Sequence, residues 1–147
     1  MEPNATERPL AGITVIDLVA GPLAGIARGL RELGATVVRL EIDGRGALPA
    51  EGAREQLAYW TANLGKQIET LSLDDSALEH WLGRADLILE DFSAEPDPAI
   101  AIDWAALARA NPALVHMTAS GFGLGNSFSG WQWTDPVLHA LTTELSR

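Results

Sequence analysis

Apolar residues crowd the stretch Ile13-Thr14-Val15-Ile16-Asp17-Leu18-Val19, alternating only in part and dominated by β-branched side chains. That pattern predicts a strand covered on both faces by helices. Gly21-Pro22 breaks the strand and opens a helix, because Pro22 suits a first helical position, where its missing N–H leaves no hydrogen bond unmade. The helix is expected to carry Leu23, Ile26, Leu30 and Leu33 on one stripe, with Arg28, Arg31 and Glu32 facing water, until Gly34 stops it as a C-cap glycine. Residues 36–42 read as a second strand. A helix between two strands implies that they run parallel, joined by a right-handed crossover. A ligand is then expected beyond their carboxyl ends, near Ala20 to Pro22 and Glu41 to Gly46.

Further along, residues 43–54 lack a sustained period and predict a loop over the strand ends. Residues 57–63 fit a short helix or a strand, and 66–73 fit a strand. Asp74-Asp75-Ser76 offers caps for a helix carrying Leu78, Trp81 and Leu82. Residues 86–92 form the next predicted strand, ending in a cluster of acids, and Pro96 and Pro98 mark a loop. Residues 102–110 are expected to be helical until Asn111-Pro112, and 114–119 to form a strand running into Ser120-Gly121-Phe122-Gly123-Leu124-Gly125. The alternation of strands and helices implies an α/β layered fold with a mostly parallel sheet flanked by helices. Residues 1–9 read as a flexible polar tail and 10–147 as one α/β domain.

At 147 residues the chain holds enough material for one core. Its formal net charge of −10 argues against nucleic acid or an anionic membrane as partner, so a phosphate-bearing ligand must be met locally. Of the ten basic residues only Lys66 is a lysine. The absence of cysteine excludes disulfides, thiolate catalysis and cysteine-based zinc sites, and fits a reducing, cytoplasmic setting. No N-terminal apolar run resembles a signal peptide or a membrane span. His80, His116 and His139 lack metal-ligand spacing, so no metal is expected. Trp131 and Trp133, flanking Gln132, read as core covers or a partner surface.

Several segments recur together in one order: Pro9-Leu10-Ala11-Gly12 leading to Asp17-Leu18, then Ala20-Gly21-Pro22, Leu33-Gly34-Ala35, and Val38-Arg39-Leu40-Glu41. Ala85-Asp86-Leu87, Asn111-Pro112 with Leu114-Val115, and Ser120-Gly121-Phe122-Gly123 complete the set. The ordered set resembles the N-terminal part of the family III CoA-transferases, the carnitine dehydratase and bile-acid-inducible protein group that includes acyl-CoA racemases. The resemblance implies a Rossmann-like fold that is incomplete relative to the full family fold. It also implies an activity: moving coenzyme A between carboxylic acids through an aspartyl anhydride and an aspartyl-CoA thioester. The implied nucleophile is an aspartate a few tens of residues past Gly121-Phe122-Gly123, beyond Arg147, so no catalytic residue is assigned here. Asp135 matches the aspartate of a family Tyr-Asp pair, with Thr134 in place of the tyrosine.

By the same resemblance the CoA-binding residues are Arg39, Asn63, Lys66, Asp91, Phe92, Gly121 and Gly123. Two departures stand out. Asn63-Leu64-Gly65-Lys66-Gln67 keeps the family's lysine and loses the arginine that follows it, and Asp91 replaces an asparagine, adding a carboxylate near a polyphosphate. Each residue also has a structural reading. Lys66 fits a solvated surface, Arg39 an ion pair with Glu41 or another acid, Phe92 the core, and the glycines a flexible loop. The expected partners are CoA or acyl-CoA, with a homodimer or a complementary CoA-transferase segment, since family members form interlocked dimers. A non-catalytic CoA- or nucleotide-binding module, an interaction subunit, and part of an acyl-CoA racemase or isomerase are the alternatives.

Overall fold

A computed structural model describes residues 8–73, 76–91 and 102–141. Five strands, β1 (Thr14–Asp17), β2 (Thr36–Ile42), β3 (Gln67–Leu71), β4 (Leu87–Glu90) and β5 (Val115–Thr118), alternate with helices. The helices are α1 (Ile26–Glu32), α2 (Ala53–Asn63), α3 (Ser76–Gly83), α4 (Trp104–Ala110) and α5 (Asp135–Leu141). Every strand pairing is parallel and the order across the sheet is β3-β2-β1-β4-β5. The chain therefore starts at the centre, winds outward through β2 and β3, then returns to build β4 and β5 on the other side of β1. The reversal opens a crevice between the carboxyl ends of β1 and β4.

Side chains alternate across each strand and feed two cores. Ile16, Leu18, Val38, Leu40, Ile42 and Ile88 face α3 and α4, which contribute Leu78, Leu82, Trp104 and Leu107. Val15, Val19, Val37 and Leu89 face the other way, towards Ala27 of α1. Near the carboxyl edge this second face changes character. Asp17 and Arg39, register partners in β1 and β2, lie in phase with Val15 and Val37 and are buried there as charges.

The predicted order of elements stands, with local differences. Gly21–Gly25 is a 3-10 turn and only Ile26–Glu32 is α-helical. A 3-10 turn advances three residues rather than 3.6 per turn, which shifts the helix phase. Ala24 and Ala27 consequently reach the core, against which Leu23 and Leu30 of the expected stripe also pack, while Ile26 and Leu33 are 41% and 48% exposed. Gly34, at φ +106°, ends the segment as expected. Of the two readings for 57–63 the helix is found, and it begins earlier, at Ala53. Asp103 caps α4 by accepting from the Ala106 N–H at 2.8 Å. Helix α5 has no counterpart in the sequence reading. The proposed caps Asp74 and Asp75, the prolines 96 and 98, and Phe92 lie outside the described residues.

Candidate functional site

The carboxyl edge of the sheet holds a buried network of charge. Asp17, at the end of β1, is fully buried, and its Oδ2 accepts from the Lys66 ammonium at 2.7 Å. Its Oδ1 accepts from the Val19 N–H at 3.1 Å and lies 3.6 Å from the Arg39 guanidinium. Lys66 also donates to the Ala24 carbonyl at 2.8 Å and to Asn63 Oδ1 at 3.0 Å. Its three N–H donors are thus matched by three acceptors, and no part of the side chain is exposed. Burial pushes the ammonium's pKa below the usual lysine value, against the upward pull of Asp17. Removing one partner of such a pair strands the other and typically costs about 3–5 kcal/mol.

Arg39 extends the network outward. Its guanidinium donates to the Val19 carbonyl and, at 3.4 Å, to the Gly46 carbonyl, while its buried Nε has no hydrogen-bond partner. Gly46 sits at φ +70°, and a Cβ there would fall 1.8 Å from Arg39 Nη2. Glu41, two residues on in β2, is buried and accepts from the Tyr59 hydroxyl of α2 at 2.5 Å. Burial, then the hydrogen bond to Glu41, pushes the Tyr59 phenol up from 10.0 to about 12.

Beyond β4, Asp91 is held from both sides. Arg45 donates to its Oδ1 at 2.7 Å and the Ala20 N–H to its Oδ2 at 2.9 Å, while a second Arg45 nitrogen reaches the Leu18 carbonyl at 3.0 Å. Glu90, fully buried beside it on the opposite face, accepts from the Thr118 hydroxyl and lies 3.0 Å from His116 Nε2. Trp104 of α4 stacks on that imidazole at 4.4 Å.

Three clefts meet over this edge. The largest, about 810 Å³, lies between the Gly21–Gly25 turn and α2, with Arg28, Arg39, Arg54, Gly46 and Tyr59 on its walls. A second of about 450 Å³ lies between Pro22, the Gly121 loop and Trp133. A third of about 260 Å³ occupies the crevice between β1 and β4, bounded by Gly21, Arg45, Asp91 and Ser120. Pro22 lines all three.

Arg39, Asn63 and Lys66 therefore converge on Asp17, but with unequal access. All three are buried, and the difference is that Arg39 and Asn63 border the largest cleft whereas Lys66 does not. Asp91 faces the smallest cleft with both oxygens engaged. Gly121 lies beneath Trp133, whose ring a Cβ would meet at 2.4 Å, and the Gly123 N–H donates to Ser120 Oγ at 2.8 Å. Residue-by-residue reading missed Arg45, Tyr59, Arg28 and Arg54. The 43-Asp-Gly-Arg-Gly-46 turn carried a signal for the first, since a lone arginine between glycines beside a strand end is free to fold back over it. Among the described residues no group of three or more His, Asp or Glu side chains could hold a metal ion, and no helix is long and apolar enough to cross a membrane.

A doubly wound parallel sheet with clefts over its carboxyl edge places the chain among the α/β proteins that take ligands at a topological switch point. The sequence profile of CoA-transferase family III matches residues 10–146, and the chain belongs to that family. Succinate–glutarate CoA-transferase of Agrobacterium fabrum is 30% identical over 94% of this chain, which spans 38% of that protein. Succinyl-CoA–D-citramalate CoA-transferase of Chloroflexus aurantiacus is 26% identical over 84% of this chain and 33% of its own length. Among solved structures, a CAIB/BAIF family protein from Brucella suis superposes with a TM-score of 0.71 at 22% identity, over 90% of this chain and 39% of that one. Rv3272 of Mycobacterium tuberculosis superposes at 0.62 with 29% identity, over 93% and 39%. The chain thus spans between a third and two fifths of the length of these relatives.

Proposed function

We propose that this chain is the CoA-binding, N-terminal portion of a CoA-transferase that moves coenzyme A between carboxylic acids. The observation that carries the reading is the continuous run of clefts over the carboxyl edge, with arginines 28, 39 and 54 grouped in the largest. In a chain of net charge −10 that grouping is a local exception, suited to an extended ligand with phosphates at one end. Arg39 and Asn63 border the phosphate end, and Asp91, Gly121 and Gly123 flank the path towards the thioester. Phe92, which follows Asp91 in the sequence, is carried over as a binding residue by the family resemblance alone. No metal takes part.

The nucleophile belongs to the remainder of the family fold. Asp17 and Asp91 are poor substitutes, because covalent catalysis needs a carboxylate free to attack, and both have their oxygens engaged. The same engagement favours, as the second reading, a CoA-binding module without catalysis. The working partner is a complementary CoA-transferase segment or a second copy of the chain, in the cytoplasm.

Thermal unfolding with added ligand tests the binding claim, since a ligand that binds only the folded state raises Tm. CoA is expected to raise it more than NAD or ATP. Equal responses to all three, or none, would remove the claim. Incubation with acyl-CoA and hydroxylamine, followed by mass spectrometry, is expected to leave the chain unmodified, and a stoichiometric adduct on Asp17, Asp91 or Asp135 would place the chemistry within these residues.

A further inference from the structure

The Gly21–Gly25 turn is the one element that borders all three clefts, yet apart from Pro22, whose ring sets its φ, its own sequence does little to fix it. Ala20 precedes it with no side-chain cap, and the turn carries no polar side chain of its own. It is anchored from beneath instead. The Lys66 ammonium, reaching up from the residue before β3, joins the Ala24 carbonyl of the turn to Asp17 at the end of β1 and Asn63 at the end of α2.

We propose that Lys66 is a positioning residue. It holds the turn in the conformation that meets CoA, and touches no atom of the ligand itself. This rests on the reading of the clefts as a CoA site. Three considerations lead to it. The ammonium's three donors point to three separate elements, so one side chain sets the distance between turn, sheet and helix. An Ala24 carbonyl turned outward would present the negative end of its dipole to an anionic ligand, and the ammonium captures it inward. A move of Lys66 towards a phosphate would also strip fully buried Asp17 of its 2.7 Å partner and leave it only the Arg39 guanidinium at 3.6 Å. The positive wall that a phosphate meets is left to Arg28, Arg39 and Arg54, which line the largest cleft.

The test combines two measurements on wild type and Lys66→Gln: CoA titration calorimetry over a range of salt concentrations, and amide hydrogen exchange along the turn. A residue acting through the turn should lower CoA affinity by about tenfold or more, leave the salt dependence of binding as in wild type, and speed exchange at the amides of Leu23, Ala24 and Gly25 relative to those of β4. A weaker salt dependence together with unchanged exchange in the turn would overturn the proposal in favour of direct phosphate contact. If wild type binds no CoA, the CoA-site reading falls, while the exchange comparison still decides whether Lys66 fixes the turn. Should Lys66→Gln fail to fold, Asp17→Asn/Lys66→Gln removes the Lys66–Asp17 pair together, leaving Arg39 to the Val19 and Gly46 carbonyls, and takes its place. Fast exchange in the turn of that double variant supports the proposal, and wild-type exchange there overturns it.

Discussion

Tyr59 is the chain's single tyrosine, so its ionisation can be followed without interference from a second phenol. Its half-titration is expected near pH 12, by ultraviolet absorbance of the phenolate. Glu41→Gln should bring that midpoint part of the way back towards 10.0, because burial is the larger cause and survives the substitution. Between 10.0 and about 12 the unfolded chain has lost this proton and the folded chain keeps it, so the contribution to stability is complete below 10.0 and disappears as pH rises through that window. Lys66 works in the opposite sense. Its folded pKa lies below 10.5, so the cost of burying its charge is relieved as pH climbs from that lowered value towards 10.5. At this scale the sequence made two residues conspicuous and left their contacts open. Lys66 was conspicuous as the only lysine and Asp17 as the one charge in an apolar strand, but 49 positions separate them and only the fold brings their atoms to 2.7 Å.

Turns and helices decide how these side chains are presented. The loop after β2 seats Arg39 through the Gly46 carbonyl, and Gly46 combines a positive φ with the closest approach of the guanidinium. Gly46→Ala is therefore expected to lower stability by roughly 1–3 kcal/mol, read as a lower midpoint in urea unfolding, while Gly44→Ala, also at positive φ but in open space, should lose less. The strands were legible because their β-branched apolar runs match a sheet covered on both faces. Helix α2 was legible only as one of two readings: Leu57, Trp60 and Leu64 fall at helical spacing, but they point to solvent instead of into the core. The first helix was misphased by its 3-10 start, which no apolar spacing announces.

Across the whole molecule the sheet is unevenly covered. Ile88, in the middle of β4, is completely buried between β1 and the α3–α4 layer, whereas Val115 and Met117 on edge strand β5 are 56% and 49% exposed. Ile88→Ala should cost about 2–5 kcal/mol, and Met117→Thr should stay within about 0.5 kcal/mol of wild type, both by urea unfolding. Parallel pairing followed from the helices between strands, and the site's placement at the carboxyl ends followed from that. The strand order did not, because nothing local tells β4 to return beside β1 instead of continuing outward from β3. That choice, which creates the crevice at Asp91, is made by packing between segments distant in the chain.

The sealed position of Lys66 also gives the protein an unusual surface chemistry. Lys66 is the only lysine of the sequence and its side chain is fully buried, so an amine-directed reagent finds no accessible side-chain amine among the described residues. Such a reagent becomes a clock under stress: a label can enter at Lys66 only when the turn, β1 and α2 release the ammonium they enclose, so its rate of appearance measures how often the heart of the sheet comes open.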